Sequence, residues 1–280
     1  VIRQLVRAAI YGALETRIVG FKYSERMLNL VARRRALQHI RTGVPDPELR
    51  RKVTPEFTIG CKRIILSNSY YPALAAENTT LHDASERIER IDEQGVWTDS
   101  GRHIALDAIV WSTGYDATDG LISYSVTGRN GRTLAQQWHA YPRAYLGTTV
   151  PGFPNLFLVT GPNTGIGHTS AVFVIEAQME YIMRAIEEVQ EQGAAAIQVS
   201  EAAEERYTSW VHRDMERTVW KSGGCHSWYQ SKDGHVTAMF PGFTFTYRHW
   251  AKRWRGDDHI VTGVPGPAQE EAAEQQEARS

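Results

Sequence analysis

Apolar residues recur at three- and four-residue spacing from the start of the chain. Ile2, Leu5, Val6, Ala9, Ile10, Ala13 and Leu14 form one stripe, which predicts an amphipathic helix. A second helical stretch, from about Ser24 to Ile40, carries Met27, Leu28, Leu30 and Val31, so residues 1–41 read as helix. The segment Gly43-Val44-Pro45-Asp46-Pro47 ends it, because proline cannot continue a helix and restricts the residue before it. From Phe57 the pattern changes to short strands. Arg63–Leu66 and Asn78–His82 are two candidates, and Ile88 and Ile91 alternate with charges between Glu86 and Asp92. Val96–Thr98, a turn at Asp99-Ser100-Gly101 and His103–Leu106 predict a hairpin. The continuous apolar runs Ala108–Trp111 and Leu156–Val159 have the composition of strands buried on both faces.

The second run leads into Gly161-Pro162-Asn163-Thr164-Gly165-Ile166-Gly167 and then a long helix from about Thr169 to Glu191. Ala171, Val172, Ile175, Met179, Ile182, Met183 and Ile186 line that helix with a 3.6 period. Ser200 is a candidate N-cap for a further helix reaching about Val219. The last seventeen residues, from Val264, are rich in Pro, Gly, Glu, Gln and Ala and predict a disordered tail. No internal repeat is present.

Bulk properties narrow the class. A length of 280 residues accommodates one large domain or two modest ones, and 42% hydrophobic with 22% charged residues is an ordinary globular balance. No apolar run approaches the ~20 residues that span a bilayer. The chain starts at Val1 with nothing resembling a signal peptide, so a processed or truncated start is expected. Cys61 and Cys225 are the two cysteines. They exclude a C-x-x-C redox pair and a Cys-rich zinc site, and they suit a reducing compartment, here taken as the cytoplasm. A net charge of −1 gives no field to hold nucleic acid. Residues 1–63 nevertheless carry fourteen Lys/Arg against five acids. A solvated helix face accounts for that excess; a phosphate-bearing cofactor and an anionic membrane surface are the alternatives.

The glycine loop before the long helix is the most informative local feature. N–H groups in the first turn of a helix lack intrahelical partners, and glycines let a phosphate or polar ring edge approach them. Gly165-Ile166-Gly167-His168-Thr169-Ser170 approximates G-x-G-x-x-G with Ser in the last place. The loop is longer than a tight dinucleotide turn, however, and no acidic residue closes a next strand. A helix terminus facing another part of a cofactor fits better. The histidines, His168 and His226 included, show no metal-ligand spacing and read as structural or surface residues. No G-x-S-x-G elbow is present.

Several segments together resemble the Baeyer–Villiger monooxygenases. Gly60-Cys61-Lys62-Arg63 with Tyr70-Tyr71 is similar to that family's G-C/T-K-R…Y-Y segment. Asp107-Ala-Ile-Val-Trp-Ser-Thr-Gly-Tyr-Asp116 resembles its D-x-I/V-V-x-A-T-G-F/Y-D motif, with Ser112 in place of the usual Ala. Gly128-Arg-Asn-Gly131, Trp138, Tyr145-Leu-Gly147, Gly152-Phe-Pro-Asn-Leu-Phe157, Gly161-Pro-Asn163 and Ile175-Glu176 follow in the family's order. Ser222–Tyr229 resembles the region near its mobile active-site loop. The family's first FAD-binding turn, its F-x-G-x-x-x-H-x-x-x-W signature and its NADP-binding turn have no counterpart here.

The resemblance implies an α/β fold: the C-terminal part of a flavoprotein with two Rossmann-like dinucleotide-binding domains, incomplete. Its expected division is a helical subdomain segment over 1–54, the end of the NADP domain over 55–106, the end of the FAD domain over 107–258 and a disordered tail over 259–280. The runs 108–111 and 156–159 would then lack neighbours and expose unpaired edges. It further implies FAD and NADPH as cofactors, O2 and a ketone or aldehyde as substrates, and oxygen insertion through a flavin C4a-peroxide. Arg63 matches the family's active-site arginine, and Lys62 the position that contacts NADP. Thr113, Gly114, Gly161, Pro162, Asn163, Thr169, Ser170 and Ala171 match cofactor-binding positions, and Trp228 a loop aromatic over the substrate. No metal is implied. The alternatives are an N- or S-oxidising flavin monooxygenase, and a non-catalytic remnant or module resting peripherally on a membrane. Independent catalysis by this chain alone is not expected, and the sequence sets no oligomeric state.

Overall fold

The computed structural model describes residues 2–114 and 124–263. Helices α1 (Ile2–Glu15) and α2 (Arg17–Tyr23) and the single turn α3 (Glu25–Met27) lead through a π-helical stretch, Leu28–Arg33, into α4 (Arg34–Gly43) and α5 (Pro47–Val53). The short α6 (Tyr70–Leu74) precedes strands β1 (Ile88–Asp92), β2 (Gly95–Thr98) and β3 (His103–Ala105). There follow α7 (Leu134–Gln137), α8 (Ala171–Glu191), β4 (Ala196–Val199), α9 (Glu201–Met215), α10 (Val219–Ser222), α11 (Thr244–Lys252) and β5 (His259–Thr262). The chain divides into two units, Val1–Arg26 with Thr58–Arg63 and Asp116–Ser280, and Met27–Phe57 with Ile64–Tyr115.

In the smaller unit, α4 closes on buried Ile40 and Val44, and a Cβ on Gly43 would meet Tyr71 at 2.6 Å. Pro47 opens α5, and the Asp46 carboxylate accepts from the N–H groups of Glu48 and Leu49. The expected hairpin is present as β2–β3, extended by β1 into an antiparallel sheet of order β1-β2-β3. Its turn uses Gly101 at φ +81, a conformation glycine adopts without steric cost. Trp97 donates its indole N–H to Asp92 at 2.6 Å, under the Arg90 guanidinium.

Four segments expected as strands form none. Arg63–Leu66, Asn78–His82, Ala108–Trp111 and Leu156–Val159 lack strand pairing among the described residues. Leu66 and Val110 are 92% and 86% exposed. An apolar run becomes a strand only where a neighbouring strand pairs with it along its length; Leu158 donates to the Thr148 carbonyl at 2.8 Å, but no ladder forms among the described residues. The exposure expected of 108–111 in the absence of neighbours is therefore what is observed.

The core of the larger unit lies between α8, α11 and the β4–β5 ribbon. The helix from Thr169 to Glu191 forms nearly as expected, but of its expected apolar stripe only Ile182 is buried. Val174, Ala177, Gln178, Tyr181, Ile182 and Ala185 face inward, whereas Val172, Met179, Met183 and Ile186 are exposed. The α1 stripe behaves the same way: Ile2, Leu5, Val6 and Ile10 are exposed, and Tyr11 and Glu15 hold the helix instead. Around α8 sits an aromatic nest. Tyr145 donates to Asp258 at 2.8 Å, Tyr247 to the Leu146 carbonyl at 2.6 Å, and the Tyr181 hydroxyl lies 2.7 Å from His259. Burial pushes all three phenols well above their ordinary pKa, so they stay neutral.

Ser200 caps α9 as expected, accepting from Ala203 N–H, although α9 ends at Met215 and α10 is separate. Strand β5 falls within the stretch expected as tail, so ordered chain continues to Thr262; residues from 264 onward lie outside those described. Asn155, in the left-handed region at φ 58, lies along β4. Its N–H donates to the Ile197 carbonyl, its amide nitrogen to the Ala195 carbonyl, and its amide oxygen accepts from Ile197 N–H. The two cysteines, expected to stay reduced because they are few, are instead joined as the disulfide Cys61–Cys225, which runs against the reducing compartment read from the sequence. A separation of 164 residues hides that proximity from any spacing argument.

Candidate functional site

The glycine loop 161–167 is built by mutual exclusion of side chains. A Cβ on Gly161 would meet the Gly147 carbonyl oxygen at 2.3 Å, and one on Gly147 would meet Thr164 at 2.2 Å. Gly147 also has φ +60, so glycine is required there on both counts. Asn163 is buried and spends its side-chain donors inside the protein, on the carbonyls of Val236 and Met239 at 2.8 and 3.0 Å. Its N–H donates to Thr237 at 2.7 Å. Beneath the loop, Gln178 of α8 accepts from Thr160 N–H and donates to the Gly147 carbonyl, the Thr148 hydroxyl and the Leu158 carbonyl.

The segment before Lys62-Arg63 rests on the same packing. A Cβ on Gly60, which has φ +92, would overlap the Phe21 ring at 2.4 Å. Phe21 lies 5.9 Å from the Trp220 ring, and a Cβ on Gly167 would meet Trp220 at 2.9 Å. One aromatic pair thus carries both the Gly60–Arg63 segment and the end of the glycine loop. Lys62 and Arg63 are exposed. Burial raises the Tyr229 pKa, and the nearby Arg63 charge pulls it partly back. Trp228 is 49% exposed and meets Tyr229 edge-on at 4.7 Å, which separates it from a packed core tryptophan.

At the start of α8, Ser170 occupies the N-cap with extended backbone but makes no side-chain cap bond. The Phe173 N–H donates to the Ser170 carbonyl at 3.1 Å, which leaves the N–H groups of Ala171 and Val172 without an intrahelical acceptor. The Thr169 hydroxyl and both ring nitrogens of His168 are buried without a hydrogen-bond partner. His168 is 3% exposed, and its Nε2 stands 3.6 Å from the Glu15 carboxylate. Glu15 also accepts from the N–H and hydroxyl of Thr244. Burial alone would raise the Glu15 pKa, but the His168 ring facing it and the Thr244 donors outweigh it and hold the group below the usual carboxylate range. Tyr11 completes the contact, stacked on Phe173 at 4.8 Å and 2.8 Å from the Thr244 hydroxyl.

Thr113 and Gly114 belong to the smaller unit, exposed and outside any regular element, with Gly114 at φ +81. Tyr115 and Asp116 of the same motif lie outside the described residues. Lys62-Arg63, 161–163, 169–171 and Trp228 all fall in the larger unit. Sequence reasoning missed Gln178 and Glu15. The signal for Gln178 was a second inward face on α8, small and aromatic rather than aliphatic, with one amide inside it. Glu15 sits on the polar side of the α1 stripe and offered no signal.

No family model matches the chain. A Baeyer-Villiger monooxygenase of Pseudomonas aeruginosa is 41% identical over 276 residues, covering 98% of this chain and 52% of that protein. One from Streptomyces coelicolor is 36% identical over 267 residues, 95% of this chain and 51% of that protein. Among solved structures, an oxidized steroid monooxygenase bound to NADP superposes with a TM-score of 0.76 at 31% identity, over 87% of this chain and 47% of the other. Cyclohexanone monooxygenase from Rhodococcus bound to NADP+ gives 0.75 at 26%, over 88% and 46%. The chain is thus part of the flavin-dependent monooxygenases, two-domain flavoproteins. Within them it groups with the Baeyer–Villiger monooxygenases, and it spans about half the length of the relatives it matches.

Proposed function

We propose that this chain supplies part of the active site of an FAD- and NADPH-dependent monooxygenase that inserts one oxygen atom of O2 into a ketone or aldehyde. The observation that carries the reading is the shared Phe21–Trp220 support beneath Gly60–Arg63 and the glycine loop, in a chain aligned over nearly its whole length with Baeyer-Villiger monooxygenases. The uncapped start of α8 fits a flavin, since its orphan N–H groups and the unpartnered Thr169 hydroxyl suit the polar edge of a ring. Thr169, Ser170 and Ala171 would hold that edge. Within the larger unit the backbone of Gly161-Pro162-Asn163 would approach the cofactor and Lys62 would take an NADP phosphate or ribose; Thr113-Gly114 of the smaller unit keep their cofactor-binding assignment from the family motif alone. When bound, FAD reduced by NADPH supplies the oxygen-activating chemistry.

Arg63 keeps its charge at any working pH and presents several donors. Its part is to stabilise negative charge developing on the substrate's carbonyl oxygen, a contribution of about 3–4 kcal/mol for one well-placed donor. Trp228 would exclude water over the substrate. On this reading 1–54 is a helical subdomain segment, 55–106 completes an NADP domain and 107–258 an FAD domain. The outward apolar faces of α1 and α8 are where the remaining half of such a protein would rest.

The test is Arg63→Ala in the full-length protein, assayed for NADPH oxidation and for ester or lactone formation from a ketone. Loss of about 100-fold or more in product, with FAD still retained, is expected. Unchanged product would remove Arg63 from the chemistry, and oxidation of a thioether but no ketone would assign the protein to the sulfur-oxidising class. Exposed Ile2, Leu5, Val6 and Ile10 beside Arg3 and Arg7 favour one second reading, peripheral contact with anionic lipid. Absence of vesicle co-sedimentation at low salt would rule it out.

A further inference from the structure

We propose that Cys61 and Cys225 form a dithiol–disulfide modification site that fastens the Lys62-Arg63 segment to the loop bearing Trp228, and that reduction releases the loop. The importance of Arg63 and Trp228 rests on the monooxygenase reading; the fastening does not.

The two ends of the bridge differ. Cys61 is 1% exposed, in a turn closed by its N–H to the Thr58 carbonyl, with Gly60 pressed on Phe21. Cys225 is half-buried and follows Gly224, an exposed residue at φ +74 with open space around its Cα. One backbone hydrogen bond, Thr58 N–H to the Gly223 carbonyl at 3.0 Å, joins the two segments beside the bridge. Glycine is needed at 223, where a Cβ would stand 2.9 Å from the Cys61 Cβ and 2.4 Å from the Val219 carbonyl oxygen. Past the bridge the chain is anchored again at Tyr229, 4% exposed, and at Gln230, whose amide donates to the Trp220 carbonyl at 2.6 Å. The stretch that depends on the disulfide is therefore 224–228, with Trp228 at its end. Cleavage leaves the Cys61 side held by its core and frees the Cys225 side.

The chemistry balances with a dithiol reductant. A reductant thiolate attacks the sulfur of half-buried Cys225, the Cys61–Cys225 bond breaks, and Cys61 leaves as a thiolate that takes up a proton. The second reductant thiol then displaces Cys225, leaving two protein thiols and an oxidised reductant. In the reverse direction, hydrogen peroxide oxidises the two thiols to the disulfide and is itself reduced to two waters.

With two cysteines in the chain, thiol counting reads the bridge directly. The full-length protein is denatured and alkylated before and after dithiothreitol, and segments containing residues 61 and 225 are followed by mass. A blocked pair, released by reductant and restored by peroxide, is expected. Free thiols at both positions even after peroxide would overturn the proposal. Native hydrogen exchange supplies the second measurement. Reduction is expected to speed exchange in 224–228 about tenfold while 58–61 changes little, and reoxidation to reverse it. Equal exchange in both states would overturn the fastening. Cys225→Ser, changed at the half-buried end, should exchange like the reduced protein and ignore dithiothreitol. NADPH oxidation without ester product is expected to rise on reduction. If the protein never oxidises NADPH, the monooxygenase reading fails while the thiol count and exchange still decide this one.

Discussion

Glu15 shows how one charged residue can hold an element that its apolar neighbours do not. Its carboxylate gathers Thr244 and the His168 ring, tying α1 to the starts of α8 and α11. Because its folded pKa lies below the ordinary 4.5, the charged form stabilises the fold. That contribution is complete above about pH 4.5 and is lost as pH falls through the lower folded value. Glu15→Gln is therefore expected to cost about 1–3 kcal/mol at neutral pH, and the gap from the native protein should close as the solution is acidified. Urea melts at a series of pH values would measure it; a gap independent of pH would mean the carboxylate acts through shape alone. His168 is the related case at this scale. It reads as a structural residue from spacing, and its burial, with the ring facing Glu15 at 3.6 Å, agrees.

At the scale of elements, α8 organises the glycine loop through a single amide. Gln178 reaches backbone groups of Gly147, Leu158 and Thr160, so Gln178→Leu would leave buried polar groups unpaired and should cost about 1–3 kcal/mol. Chemical denaturation would give the number, and exchange at residues 158–164 should rise with it. How far elements were legible in the sequence follows from what each depends on. The β2–β3 hairpin was legible because its turn and alternation are local, and α9 because Ser200 is its own cap. Leu156–Val159 and Ala108–Trp111 were misjudged because a strand is a property of a pair, and no strand pairs with them among the described residues. The α8 and α1 stripes gave the helices correctly but the wrong inward face, since periodicity finds an apolar side without saying what covers it. The glycine loop stood out in the sequence as a helix-start feature, and Arg63 only through the family resemblance. Their common Phe21–Trp220 support and the Cys61–Cys225 bridge join residues too distant in sequence for any spacing rule.

At the scale of the whole molecule, two apolar helix faces turned outward define where further protein would add. Met183→Glu is expected to change this chain's own stability by no more than about 0.5 kcal/mol, because the side chain is half-exposed. The same change should lower FAD retention when the chain is co-expressed with a homologous N-terminal half, and unaffected retention would place the contact elsewhere. Against those open faces, one edge of the β4–β5 ribbon, along β4, is covered. A two-stranded ribbon ordinarily offers a bare edge on which another polypeptide can add a strand. Asn155 fills that edge on β4, using main chain and side chain together to satisfy Ala195 and Ile197. A strand adding along β4 would first have to displace Asn155, so that side of the ribbon is guarded by one amide side chain rather than by burial.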